Sequence, residues 1–182
     1  MEKRNLGNTG TKVGALGIGA MSFSDFYGPT NTQESHAILK MALDNGINHI
    51  DTAKVYGMGL SEERIGQFLN TLNPKDRQFF KIATKGGIDR KNFDDKGTVV
   101  FDNSKEFLTE ELNNSLRRLG VDCVELYYVH RREAGRPIEE VTETLVEFIK
   151  HGKIKQFGFS EIAPTSLEKA ASIHPVLSLI HI

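Results

Sequence analysis

The stretch GINHIDTAKVYG, from Gly46 to Gly57, is the most informative about the fold, because it ends a helix, contains a short strand and carries polar residues directly after that strand. Before it, Thr32 is suited to cap a helix that continues to about Asn45, and Gly46 is a glycine of the kind that commonly ends a helix. Residues 47–51 then have the apolar character of a short buried strand. The chain therefore passes from an amphipathic helix directly into the sheet.

The same alternation of strand and helix continues on both sides of this stretch. Turn residues at Asn8, Thr9 and Gly10 first predict a small N-terminal β-hairpin. The predicted strands cover residues 15–19, 47–51, 79–85, 123–129 and 155–159, and a sixth begins at 176. The predicted helices cover residues 32–45, 61–72 with Ser61 as the cap, 104–119, 137–151 and 165–173. Apolar strands that alternate with amphipathic helices indicate a parallel sheet covered by helices.

Two architectures fit this alternation, a closed barrel and an open doubly wound sheet. The glycine cluster at residues 17–22 argues against a dinucleotide-binding doubly wound domain. Ser22 stands where the third glycine of that fingerprint belongs, and no helix is predicted to start there. No Walker A motif occurs in the chain. The pattern therefore favours an α/β fold of the parallel (β/α)8 TIM-barrel type, formed by residues 1–182 as one domain.

Composition points to a soluble, intracellular protein. Lys and Arg total 23 and Asp and Glu total 24, so the net charge of −1 favours neither nucleic acid nor an anionic membrane as a partner. The single cysteine, Cys123, lies in a predicted strand and is expected in the core. No apolar run approaches the ~18 residues of a membrane span. His49, two residues before Asp51, invites a metal-site alternative, but no close cluster of metal ligands accompanies it, so we predict no metal.

Four residues are predicted to share one end of the sheet. Asp51, Lys85 and His130 stand where three successive predicted strands end, and Tyr56 lies in the loop after the first of them. In a parallel barrel this end carries the chemistry. The bland alternative is a structural ion-pair network at the strand ends.

The chemistry of these side chains suits proton transfer to an oxygen. The Lys85 ammonium favours a phenolate and so lowers the pKa of Tyr56, and Asp51 pairs with Lys85 and orients it. His130 can donate a hydrogen bond to a carbonyl oxygen. Such a site protonates an oxygen that gains negative charge, which is half of a carbonyl reduction. The other half is a hydride, which only a nicotinamide cofactor would supply.

With these four residues and the segments around them, the chain resembles the first part of an aldo-keto reductase. The resemblance runs from the start of the chain to about Val176, in the order and spacing of that family. The matching segments are LGIGAM (16–21), IDTA (50–53), VYG (55–57), SE (61–62), TK (84–85), SLRRLG (115–120), LYYVHR (126–131) and GKI (152–154).

The resemblance implies a cytoplasmic (β/α)8-barrel enzyme that reduces small aldehydes and ketones with NADPH, with NADH as the alternative cofactor. By the same resemblance Tyr56 is the general acid and His130 orients the substrate carbonyl. The catalytic residues would be Asp51, Tyr56, Lys85 and His130.

The resemblance also implies cofactor contacts. Ser160 would hold the nicotinamide carboxamide, Gly19 and Met21 would lie beside the nicotinamide ring, and Asp51 would belong to the same surface.

Two residues depart from the family pattern. Glu161 stands where many members have asparagine after the serine, so its contact with a cofactor is open. Lys54 stands where many members have an acidic or neutral residue. As a second cation near Tyr56, Lys54 would either lower the pKa of the phenol further or point to solvent.

Length is the remaining sequence feature. A (β/α)8 barrel typically takes ~250 residues, whereas this chain has 182 and about five strand–helix units. We therefore expect the domain to be C-terminally incomplete, with residues 177–182 a truncated or frame-shifted end. Two long apolar sheet edges would stay open, so we expect the isolated chain to be poorly soluble or oligomeric, with little or no turnover. The alternative function is a catalytically inactive fragment or a nucleotide-binding subunit of the same fold.

Overall fold

The computed structural model describes residues 1–93 and 98–180. Its strands are β1 (Lys3–Asn5), β2 (Lys12–Gly14), β3 (Gly17–Gly19), β4 (His49–Asp51), β5 (Lys81–Gly86), β6 (Ile88–Phe93), β7 (Val99–Phe101), β8 (Val124–Val129), β9 (Ile154–Ser160) and β10 (Ser178–Ile180). Its α-helices are α1 (Thr32–Asp44), α2 (Leu60–Asn70), α3 (Pro74–Phe79), α4 (Lys105–Leu119), α5 (Ile138–Lys150) and α6 (Pro164–Ile173), and two short 3-10 helices cover Ala20–Ser24 and Tyr56–Gly59.

Six of these strands form one parallel sheet in the order β10-β9-β8-β5-β4-β3. Each strand of this sheet therefore lies beside its predecessor in the chain, and the order never reverses. A doubly wound sheet requires such a reversal, so that alternative is excluded. The sheet is curled and carries helices, as in half of a (β/α)8 barrel, which confirms the predicted fold class.

The sheet buries apolar side chains on both faces. On the outer face, one large cluster joins strand residues to the helices, among them Ile50, Tyr127 and Phe157. On the other face a small cluster of Ala83, Leu126 and Tyr128 is packed against half-buried apolar side chains near β10. Burial on both faces explains why the central strands read as continuous apolar runs in the sequence.

The two outer strands differ from the prediction. We expected residues 15–19 to form a buried strand and both sheet edges to be long. Instead β3 and β10 have three residues each, and β3 is largely exposed because it has no neighbour on its outer side. Short edge strands present few unpaired backbone groups, which weakens the physical basis for the predicted insolubility. That prediction is otherwise untested. Strand six is confirmed as far as Ile180, and residues 181–182 lie outside the described residues.

Two predicted helix caps were wrong. Asn31, rather than Thr32, caps α1 through a capping box with Glu34. Gly59, rather than Ser61, precedes α2, and Ser61 is buried inside the first turn with its hydroxyl bonded to Thr52. Both observed caps lie one or two residues before the expected cap, a difference that hydrophobic periodicity cannot resolve.

Several further elements extend or correct the sequence analysis. The N-terminal hairpin of β1 and β2 is confirmed, and Asn48 bonds it to the sheet at Gly14 and Lys12. Helix α3, the β6–β7 hairpin and the 3-10 helix after β3 were not predicted. Cys123 is half-buried just before β8 rather than in the core. Within residues 1–93 and 98–180, no helix is long and apolar enough to cross a membrane.

Close contact between α2 and α4 yields a stability prediction. A methyl group at Gly66 would overlap the backbone carbonyl oxygen of Arg118. Gly66→Ala should therefore destabilise the chain by about 2 kcal/mol, since overpacking outweighs the better helix propensity of alanine. Gly135→Ala is the control, because a Cβ at exposed Gly135 would meet nothing within 4 Å. Urea unfolding of both variants checks this, and equal free energies of unfolding would refute the close contact.

Candidate active site

Lys85 lies at the centre of a polar cluster at the carboxyl ends of the strands. It occupies the penultimate position of β5 and is only 2% exposed. Its ammonium nitrogen donates to Asp51 Oδ1 at 2.5 Å and to the Thr52 carbonyl at 2.9 Å, and lies 3.4 Å from the Tyr56 hydroxyl. Burial lowers the pKa of Lys85, while the Asp51 carboxylate acts in the opposite direction. Parallel pairing of β4 with β5 brings Asp51 close to Lys85, and Tyr56 joins them from the 3-10 helix that follows β4.

Tyr56 reaches this cluster from a strained turn. The three residues after it, Gly57, Met58 and Gly59, all have positive φ, at 62°, 55° and 105°. Glycine adopts such a conformation without a Cβ clash, whereas Met58 does so at a cost. Three left-handed residues in succession reverse the chain direction between β4 and α2. Strain of this kind concentrates at functional sites, where the surrounding fold maintains it.

The acidity of Tyr56 differs from the sequence expectation. Burial of the phenol raises its pKa to about 12, and the negative charge of Asp51 contributes in the same direction. We had expected the Lys85 ammonium to lower this pKa. Lys85 is already bonded to Asp51 at 2.5 Å, so its charge is largely compensated before it reaches the phenol. Tyr56 is therefore fully protonated at neutral pH.

His130 follows β8 and completes the group of four. Its ring stands edge-on to the Tyr56 ring, with 5.9 Å between ring centroids, and the residue is 8% exposed. Its backbone N–H donates to the Gly86 carbonyl at 2.8 Å. Burial, followed by the positive charges of Lys85 and Arg131, lowers the pKa of His130 to about 3. The imidazole is therefore neutral at physiological pH and offers one N–H donor.

The low pKa of His130 predicts an acid-dependent loss of stability. The folded pKa of about 3 lies below the ordinary histidine value of about 6.5, so the unfolded chain binds more protons between these values. Stability should fall as pH drops below about 6.5, by about 2 kcal/mol between pH 7 and pH 5 from this group. His130→Gln should remove that part of the pH dependence, whereas His151→Gln, at an exposed histidine, should retain it. Thermal or urea unfolding across pH 5–8 measures both, and identical slopes would contradict the burial effect.

Ser160, at the end of β9, is connected to the group of four by Arg131. One guanidinium nitrogen of Arg131 donates to the Ser160 hydroxyl at 3.0 Å and to the His130 carbonyl at 2.7 Å. The other terminal nitrogen pairs with Glu161 Oε1 at 3.0 Å. Three successive charges at residues 131–133 would suggest a solvated run from sequence alone, but all three residues are half-buried. Arg131 is half-buried because Ser160, Glu161 and the His130 carbonyl supply its acceptors.

The remaining cofactor candidates are on the first strand and the 3-10 helix after it. Gly19 pairs with Asp51 in the register of β3 and β4, and a Cβ there would meet nothing within 4 Å. Met21 is half-buried in the 3-10 helix, which packs beside the turn that carries Tyr56. All the predicted site residues therefore gather at one end of the sheet, while their roles stay predictions.

The contacts of Lys54 and of the aromatic residues after β3 bear on two alternatives that the sequence left open. Lys54 neither points to solvent nor faces the phenol, because its ammonium pairs with Glu111 at 2.6 Å behind the sheet. The aromatic residues after β3 could either line an apolar pocket or pack the loop. Phe23 is buried in the core, whereas Phe26 and Tyr27 are 64% and 73% exposed and contact each other edge-on. Phe23 and Tyr27 line the same pocket, so both alternatives hold in part. The described residues contain no cluster of three or more His, Cys, Asp or Glu residues suited to a metal.

The sequence analysis did not predict a pair of buried ionic contacts on the side of β5 that faces helices α2 and α4. Glu62 accepts a hydrogen bond from Thr84 at 2.5 Å and pairs with Arg118 at 2.7 Å, and Glu111 pairs with Lys54. The sequence signal was present, because Glu111 interrupts the apolar stripe of α4. A carboxylate on the buried face of a helix requires a partner.

Comparison with known proteins places this site in a family. The sequence model of the "Aldo/keto reductase family" matches residues 15–180. The Schizosaccharomyces pombe protein named "Aldo-keto reductase yakc [NADP(+)]" is 34% identical over 95% of this chain, and a "Probable aldo-keto reductase 1" of Glycine max is 35% identical over 96%. In both cases the match covers 49% of the relative, so this chain spans about half the length of these curated relatives.

Solved structures give the same result. A glycerol dehydrogenase of Gluconobacter oxydans superposes with a TM-score of 0.85 at 28% identity, over 98% of this chain and 54% of that protein. The holo form of an aldo-keto reductase of Bacillus halodurans superposes with a TM-score of 0.84 at 32% identity, over 100% of this chain and 57% of that protein.

Proposed function

This chain belongs to the aldo/keto reductase family, and we propose that it carries the proton-transfer site of an NADPH-dependent reduction of aldehydes or ketones. The observation that carries the proposal is the contact of the buried Lys85 ammonium with both Asp51 and the Tyr56 hydroxyl. A phenol, a cation and a carboxylate in this arrangement suit the protonation of an oxygen that becomes negative.

Tyr56 is the proton donor in this proposal. Its pKa of about 12 keeps the phenol protonated at neutral pH. An alkoxide formed from a carbonyl has a conjugate-acid pKa of about 16, close to that of water, so the transfer from Tyr56 is downhill. Lys85, 3.4 Å away, stabilises the phenolate that remains. The neutral His130 N–H donates a hydrogen bond to the same carbonyl oxygen and so places it beside the phenol.

The reverse reaction would require the phenolate. With a pKa of about 12, Tyr56 is almost wholly protonated at pH 7, so alcohol oxidation should be slow there and rise steadily with pH. The site as described therefore favours reduction at neutral pH.

The residues near Ser160 fit a nicotinamide carboxamide. Because Arg131 already donates to the Ser160 oxygen, the serine proton is free to donate to the amide carbonyl. The Glu161 carboxylate accepts only, which suits the amide NH2 group. This donor and acceptor pair would orient the ring, with Gly19, Met21 and Asp51 on the adjoining surface. The bound nicotinamide would supply the hydride. One relative carries NADP(+) in its name, which supports NADPH as the cofactor, while NADH stays open.

A fluorescence titration with NADPH, followed by an assay of NADPH consumption with an activated aromatic aldehyde, tests the proposal. Binding together with aldehyde-dependent consumption supports the reductase. Binding without consumption would support the alternative, a nucleotide-binding protein without catalysis. Absence of NADPH and NADH binding by a folded chain would refute both.

A further inference from the structure

Glu111 is a buried carboxylate that the proposed chemistry does not use. It lies on α4 and is 5% exposed, on the helix face that also carries Leu108 and Leu112. Burial raises the pKa of its carboxyl group, and the Lys54 ammonium opposes this shift. A charge in such a position is costly unless each oxygen has a partner. The two oxygens of Glu111 indeed have different partners.

The first oxygen holds the loop that carries Tyr56. Glu111 Oε1 lies 2.6 Å from Lys54 Nζ, and the Lys54 side chain is only 12% exposed. The backbone N–H of Lys54 donates to the Lys85 carbonyl at 3.2 Å. Lys54 is two residues before Tyr56, so its anchoring on α4 limits how far the phenol can move from Lys85.

The second oxygen holds the end of β5. Glu111 Oε2 accepts the Gly87 N–H at 3.1 Å, two residues after Lys85. The intervening residue, Gly86, accepts the backbone N–H of His130 at 2.8 Å. A Cβ at Gly86 would overlap the Tyr127 hydroxyl and would also lie 3.2 Å from Glu111 Oε2, so glycine leaves room for both side chains at this turn. One carboxylate therefore joins the segments before Tyr56 and after Lys85, and the second segment also holds His130.

We propose that Glu111 is a positioning residue, whose carboxylate fixes the separation of Tyr56 from Lys85 by bonding Lys54 and Gly87 at once. Its importance for catalysis rests on the proposed function, whereas its effect on the two segments does not. Glu111 touches neither substrate nor cofactor in this proposal. It acts through the backbone on either side of the reacting groups.

Amide hydrogen exchange of the 182-residue chain tests the proposal without cofactor. Glu111→Gln keeps the side-chain volume but removes the charge that holds Lys54, and Glu110→Gln, at an exposed neighbour on the same helix, is the control. Amides of residues 52–58 and 86–88 should exchange about tenfold faster in Glu111→Gln than in the control, with β8 unchanged. Exchange within about twofold of the control, or an equal acceleration in β8, would overturn the positioning role.

A double variant separates positioning from stability. Lys54→Met with Glu111→Leu removes both charges, so no buried ion lacks a partner, and the free energy of unfolding should recover. With leucine at position 111 the Gly87 N–H would have no side-chain acceptor, so fast exchange at residues 86–88 should persist. Full recovery of protection there would contradict the proposal. If the chain reduces aldehydes, Glu111→Gln should also lower kcat with little change in KM for NADPH, whereas an unchanged kcat would refute the positioning role and leave the reductase function standing.

Discussion

Replacing Tyr56 with phenylalanine is expected to lower the rate of aldehyde reduction by about 10²–10⁴-fold, the usual contribution of a positioned general acid. The substitution removes only the hydroxyl, whose one described contact is the 3.4 Å approach of Lys85. The free energy of unfolding and the affinity for NADPH should therefore change little. Initial rates of NADPH consumption, with a parallel NADPH titration, separate the chemical step from binding.

Tyr127→Phe is the matched control for this prediction. Tyr127 is fully buried on the neighbouring β8, and its hydroxyl has no hydrogen-bond partner among the described residues. Loss of that hydroxyl should leave the reduction rate unchanged. A Tyr56→Phe variant as fast as the Tyr127→Phe variant would show that another group donates the proton.

Asp51→Ala is expected to have the largest effect on stability, about 3–5 kcal/mol, because it leaves a buried ammonium without its counter-ion. Lys85 is 2% exposed and, among the described residues, would keep the Thr52 carbonyl at 2.9 Å and the Tyr56 hydroxyl at 3.4 Å as its hydrogen-bond partners. In the proposed reaction, activity should disappear as well, since Lys85, the cation that would stabilise the Tyr56 phenolate, would be displaced or neutralised. Urea unfolding at several pH values measures the loss.

The pH dependence of that loss follows from Lys85. Burial already lowers its pKa in the folded chain, and removal of Asp51 should lower it further. Between this lowered value and the ordinary value of about 10.4, the unfolded chain binds more protons, so the variant should regain stability as pH rises through that window. Asp44→Ala is the control, because the Lys40–Asp44 pair is more than half exposed on both sides and should contribute less than about 1 kcal/mol. A loss no larger than that of the control would contradict the buried pair.

Much of the fold was predictable because its signals are local. Gly46 and Gly120 end helices at positive φ, and the continuous apolar run of β8 predicts a strand buried on both faces. Asp51, Lys85 and His130 are polar residues at the ends of such strands. Their positions predicted a shared site, since parallel strands bring their carboxyl ends to one edge of the sheet.

What the sequence could not predict depends on contacts between distant residues. Lys54 pairs with Glu111, 57 positions along the chain, and no local pattern selects one partner among many carboxylates. Arg131 resembles a solvated charge in sequence because its acceptors, Ser160 and Glu161, belong to another strand. The high pKa of Tyr56 likewise arises from burial, which the loop sequence does not reveal.

Glu161 shows how a departure from the family pattern can be interpreted physically. It has a φ of 59°, a conformation that asparagine tolerates better than glutamate. Its backbone N–H bonds the Ile180 carbonyl at 2.8 Å, and its side chain pairs with Arg131. These two bonds offset the cost of the left-handed backbone.

The most direct test of the central claim is deuterium transfer from NADPH labelled at the nicotinamide C4 hydride position. The 182-residue chain is incubated with labelled NADPH and an activated aromatic aldehyde, and the alcohol is analysed by mass spectrometry, which detects even slow turnover. The wild-type chain is expected to form an alcohol with one deuterium on the former carbonyl carbon, and the Tyr56→Phe variant is expected to form far less of it. Bound NADPH with no labelled alcohol, or equal labelling by both proteins, would contradict it.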